Sequence, residues 1–154
     1  MTDDDEDRQE RLNRNWDELL QELRVAQTGV QILTGFLLTV PFSSRFGDLD
    51  RLQVNSYLTV LCGSVLTTGF VIAPVAFHRI LFRKREKEWL VTAANRTARM
   101  GLLLLAFTSS GVLFLVFDVV VSTLAAVIAF GIALAFFVVL WAMVPLSAPK
   151  VLEG

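Results

Sequence analysis

The residues of this chain that are best placed to do chemistry are one carboxylate, two glutamines and one histidine. Asp118 stands in LFLVFDVVVS, inside an otherwise apolar block from Met100 to Val144. An ionisable residue within a membrane segment is by default a candidate functional group, and its partner should be named. Counted from Met100 at 1.5 Å per helical residue, Asp118 lies about 27 Å along the axis, near the far rim of a bilayer core. Arg45 first and Arg51 second are its expected ion-pair partners, because they fall on the same side of the membrane. A proton or cation site and a solvated interfacial acid are the other readings.

The glutamines lie in RVAQTGVQILTGFLLTVPF, residues 24–42. At 100° per residue, Arg24, Gln27, Thr28, Gln31, Thr34 and Gly35 share one face, opposite Val25, Ile32, Phe36 and Val40. Lipid offers no partner for an amide, so this face should meet protein, with Gln27 and Gln31 bonding across a helix interface. The sharper reading makes it one wall of a hydrated path. Glutamine does not titrate, so it could orient or coordinate an ion but not carry a proton. His78, in APVAFHR, reads as an anchor at the membrane boundary or as a pH sensor at a cytoplasmic gate.

The elements that must position these groups are helices. The chain has 154 residues, 54% of them hydrophobic, and a mean hydropathy of +0.57. About 20 apolar residues cross a bilayer core as a helix. Spans are therefore predicted at about 23–42, 54–77, 100–120 and 123–144. The last two share one apolar block, divided by a turn at Ser122 and Thr123, either of which can cap the fourth helix. Pro145 and Pro149 should close it, since proline cannot continue the hydrogen-bond ladder.

Lys and Arg placement gives the orientation. The interval 78–99 holds Arg79, Arg83, Lys84, Arg85, Lys87, Arg96 and Arg99, against Glu86 and Glu88, net +5. The first loop has only Arg45 and Arg51, and the last has none. The basic loop is thus predicted cytoplasmic, with both termini on that side. Tyr57 then falls near the outer interface, and Trp89 and Trp141 near the inner one. Arg79, Arg83, Lys84, Arg85 and Lys87 should meet anionic lipid headgroups. Residues 1–22 carry nine acids against three arginines, net −6. Residues 1–15 are expected to form an acidic cytoplasmic tail. From Asp17 onward, WDELLQEL has amphipathic spacing and should run as a helix into the first span. Its acidic side is expected to lean toward the basic loop.

Packing signals accompany the polar ones. Thr59, Gly63 and Thr67 repeat at four-residue spacing in the second span, as do Ala125, Ala129 and Ala133 in the fourth. Pro74 should kink the second span, and Cys62 reads as a small packing residue. A single Cys and a single His supply neither an intrachain disulfide nor a metal cluster. No nucleophile elbow or phosphate loop occurs, and the basic loop lacks the interleaved aromatics of a nucleic-acid surface. No catalytic residue, metal or other cofactor is expected.

With QTGVQILTGFLLTVPFSSRF, APVAFHRILFR and LVFDVVVS in view, residues 16 to 145 resemble a small actinobacterial family of uncharacterised four-span membrane proteins. Automatic labelling often calls these sodium:proton antiporters, which implies transport without a mechanism. The chain departs from well-understood antiporters, having neither their many helices and inverted repeats nor their paired midplane acids.

The reading is an all-α, polytopic membrane protein with four transmembrane helices in an antiparallel bundle and a short tail at 146–154. It places a non-enzymatic inner-membrane protein in a homo-oligomer, or beside a membrane-protein partner in a larger assembly. The alternative is a minimal oligomeric cation/proton transporter built on Arg24, Gln27, Gln31 and Asp118.

Overall fold

The computed structural model describes residues 3–81 and 87–144. Four helices account for most of them: α1 (Asp3–Thr39), α2 (Arg51–Leu81), α3 (Lys87–Val120) and α4 (Thr123–Val138). All four are long and apolar enough to cross a membrane, over Arg14–Phe42, Arg51–Ile80, Trp89–Val120 and Thr123–Met143.

Local chemistry explains where each helix begins and ends. α1 gives way at Thr39 to a 3₁₀ turn, Val40–Phe42, which contains Pro41, a residue with no N–H to donate. Asp50 and Gln53 form a reciprocal capping box at the start of α2. The Gln53 backbone N–H donates to Asp50 Oδ1 at 2.8 Å, and the Asp50 N–H donates to Gln53 Oε1 at 3.1 Å. α3 closes with the Val121 and Ser122 N–H groups both donating to the Phe117 carbonyl, at 2.9 and 3.1 Å. Ser122, extended at φ −173°, then caps α4 by accepting from the Ala125 N–H. A π-helical turn, Val139–Met143, follows α4. Pro145 and Pro149, expected to end that helix, lie outside the described residues.

The helices overrun the predicted spans. α1 begins at Asp3, so residues 3–15, expected as a tail, are helical and continuous with the first span. The interval 78–99, expected as a loop, is largely the end of α2 and the start of α3. Hydropathy finds the part of a helix that matches the bilayer, whereas the backbone ladder continues into polar sequence with good helix formers.

The chain divides into two compact units, Met1–Ser43 with Leu61–Leu105, and Ser44–Val60 with Ala106–Gly154. In the first, Leu23 of α1, Val71 of α2 and Ala98 of α3 form a buried cluster, with Leu19 packed against it. Gly101 lets α3 lie close to α2, since a Cβ there would stand 3.0 Å from Val71 Cγ2. In the second unit, Gly111 does the same more tightly, with Val60 Cγ2 only 2.7 Å from where its Cβ would be.

The buried positions of α1 and α2 follow a heptad rule. α1 buries Leu23, Val30 and Leu37, seven residues apart. α2 buries Tyr57, Val60, Ser64, Thr67, Val71 and Pro74, alternating steps of three and four. That is the spacing of helices packed side by side over a long distance. It shifts the expected seam of α2, because Thr59 is exposed and Gly63 only half-buried. Cys62, expected to pack, is exposed. In α4, Ala125, Ala129 and Ala133 are half-buried beside the fully buried Ala126.

Candidate functional site

The polar face of α1 comes first, since it gives the first span its mixed character. The helix packs through the line of Leu23, Val30 and Leu37. Gln27, Gln31 and Arg24 lie about 60–120° around the helix from that line. All three are exposed, with Thr28 and Gly35 beside them, while Thr34 is half-buried. The threonines satisfy themselves on their own helix: Thr28 Oγ1 donates to the Arg24 carbonyl at 3.0 Å, and Thr34 Oγ1 to that of Val30 at 2.8 Å. The glutamines do not. Neither amide has a hydrogen-bond partner among the described residues, and both side chains are exposed.

Asp118 presents the opposite arrangement. It lies two residues before the end of α3 and is 9% exposed. Its Oδ1 is buried with no hydrogen-bond partner, as is Thr108 Oγ1 on the same helix. Ser110, between them, donates to the Ala106 carbonyl at 2.8 Å. The expected ion pair is not formed. Arg45 and Arg51 are both exposed, and among the described residues neither reaches Asp118. The loop geometry supplies a reason. Arg45 precedes a 3₁₀ turn, Phe46–Asp48, whose Phe46 ring meets Tyr57 edge-on at 5.4 Å. Arg51 opens α2 beside the capping box. Both guanidinium groups can thus keep their hydration, whereas pairing with a buried acid would strip it.

His78 is half-buried, and its ring stacks on Trp16 with centroids 5.3 Å apart and planes inclined by 23°. An aromatic platform fourteen residues into α1 could not be assigned to His78 from spacing alone. Nearby, Phe77 meets Trp89 at 6.1 Å. Arg79 is exposed. Arg83, Lys84 and Arg85 fall outside the described residues, as does the side chain of Lys87, and with them the expected contact of the acidic helix. Glu18 instead has Arg14 at 3.9 Å, one turn back on its own helix.

Sequence reasoning missed a groove in the second unit. It has a volume of about 350 Å³ and lies between α2 (Asn55, Thr59), α3 (Phe107, Phe114) and α4 (Val127, Phe130). Phe107 and Phe130 meet edge to face at 5.5 Å within it. The signal was legible in part, since Phe107, Gly111 and Phe114 share one helical face and Gly111 leaves room between two rings. What three helices enclose together could not be read from one.

The chain belongs to a family of unknown function (DUF6328), whose model matches residues 5–145. Comparison with curated proteins and with solved structures gave no match.

Proposed function

We propose that this family member is a multi-pass inner-membrane protein without catalytic activity that works as an oligomer or as a subunit of a larger membrane assembly. Its helices form an antiparallel bundle with both termini cytoplasmic, the orientation favoured by the seven basic residues of 78–99. Arg79, Arg83, Lys84, Arg85 and Lys87 then face the anionic headgroups of the cytoplasmic leaflet.

The observation that carries this reading is the exposed amide pair of α1. A polar group left unsatisfied in hydrocarbon costs several kcal/mol, whereas an amide bonded across a helix interface gains about 0.6–2 kcal/mol. Gln27 and Gln31 stand in a helix whose most apolar stretch is only 11% buried within the chain. A second protein surface resolves that cost. Native mass spectrometry from lipid nanodiscs tests it: the expected mass is a multiple of 17.1 kDa, or one copy plus a partner. A lone protomer would contradict it.

One observation favours transport as the second reading, namely the buried and unpaired Asp118. Proteoliposomes loaded with a pH dye and given a sodium or proton gradient test this. Dissipation of the gradient that Asp118→Asn abolishes supports it, and a gradient equal to that of empty vesicles removes it.

A further inference from the structure

We infer that the groove of the second unit is a phospholipid site, which seats one acyl chain among Phe107, Phe114 and Phe130 with the lipid phosphate at Arg51. The inference rests on the helices spanning a bilayer but not on the oligomer. The groove lies wholly on helices long and apolar enough to span a bilayer, where its mouth would open to hydrocarbon, and its wall is aromatic on α3 and α4. Its polar residues gather instead on α2. Asn55, Ser56 and Thr59 line the groove, and Arg51, outside the lining, stands one helical turn from Asn55 on the same face, about 6 Å along the axis.

Arg51 is the chemistry that selects a lipid over another apolar occupant. It is exposed and has no ion pair among the described residues. Asp50 beside it is engaged elsewhere, its Oδ1 accepting from the Gln53 N–H. A guanidinium free at headgroup level matches a phosphodiester, whose two free oxygens accept its paired donors. Thr59 does not compete for the ligand, since its Oγ1 donates to the Asn55 carbonyl at 2.9 Å. In the antiparallel arrangement proposed above, the Phe107–Phe130 pair forms the end remote from Arg51. The site thus grades from cation through amide to aromatic hydrocarbon, in the order in which an amphiphile presents phosphate, glycerol and chain.

The test uses the full chain, delipidated in detergent and titrated with palmitoyl-oleoyl phosphatidylglycerol, with adducts counted by native mass spectrometry. Monoolein, which has a chain but no phosphate, is the second probe. Val127 is 56% exposed, so Val127→Trp fills the groove without entering the core. One phospholipid adduct should disappear in Val127→Trp. In Arg51→Gln the same adduct should weaken about fivefold, while monoolein binds as it does to the unaltered chain. An adduct pattern unchanged in Val127→Trp would overturn the site. So would a Val127→Trp protein that changes its protomer number and keeps all its lipid, which would give the groove to a helix of a second copy. Release of the protein from membranes by alkaline carbonate would overturn the spanning reading itself, and can be told apart from either result.

Discussion

α1 and α4 bury the same small share of their most apolar stretches, 11% each, yet they expose different chemistry. α4 shows Leu124, Ile128, Ile132 and Phe136. α1 shows Arg24, Gln27, Thr28 and Gln31 among its apolar side chains. An exposed aliphatic face is complete once acyl chains cover it, because lipid is as apolar as leucine. An exposed amide is not. On the proposed reading, equal burial therefore leaves α4 complete against lipid and α1 in need of a protein surface that the described residues do not supply.

The largest expected effect comes from giving α4 the chemistry of α1. Ile128→Gln with Ile132→Gln should cost several kcal/mol in the isolated bundle, or drive new association through α4. Thermal unfolding in detergent, together with the nanodisc mass, checks this. An unchanged melting temperature and mass would mean that exposed amides cost nothing here, and the comparison would collapse.

Next in size is the close approach within the second unit. Gly111→Ala puts a methyl group 2.7 Å from Val60 Cγ2 and should destabilise the protein by about 1–3 kcal/mol. Gly35→Ala in α1, where nothing lies within 4 Å, should leave unfolding of the isolated protomer unchanged or slightly raise its stability. Equal losses at both positions would show that the α1 face is already packed within the chain.

Gln31→Leu should weaken association by about 0.6–2 kcal/mol, roughly 3- to 30-fold in dissociation constant, without lowering protomer stability. Sedimentation equilibrium in detergent reads the first and thermal unfolding the second. A smaller effect of about 1 kcal/mol is expected from Ser122→Ala, which removes the α4 cap and should leave association untouched.

How much of this was legible in the sequence depends on whether a feature belongs to one helix or to several. The four spans, the Ser122 turn and the grouping of Gln27 with Gln31 follow from hydropathy and a 100° rotation, which act within a single segment. The seam of α2 was misplaced by one residue because the small-residue pattern at 59, 63 and 67 and the true heptad at 60, 64 and 67 overlap at Thr67. Only neighbouring helices decide between such registers. The Asp118 pairing failed for a related reason. Shared membrane side is a sequence inference, whereas the exposure of Arg45 and Arg51 depends on loop geometry. Trp16 against His78 and the aromatic groove join residues far apart in the chain, which no local period relates.

The central claim is that protein, not lipid, covers the amide face of α1. Spin labels at single cysteines, introduced in a Cys62→Ser background and reconstituted in lipid bilayers, measure this directly through collision with oxygen. Oxygen concentrates among acyl chains and is excluded from protein interfaces. Labels at positions 27 and 31 should show low oxygen accessibility, and labels at 128 and 132 should show the high value of a lipid-facing helix. High accessibility at all four positions would place Gln27 and Gln31 in lipid and contradict the account.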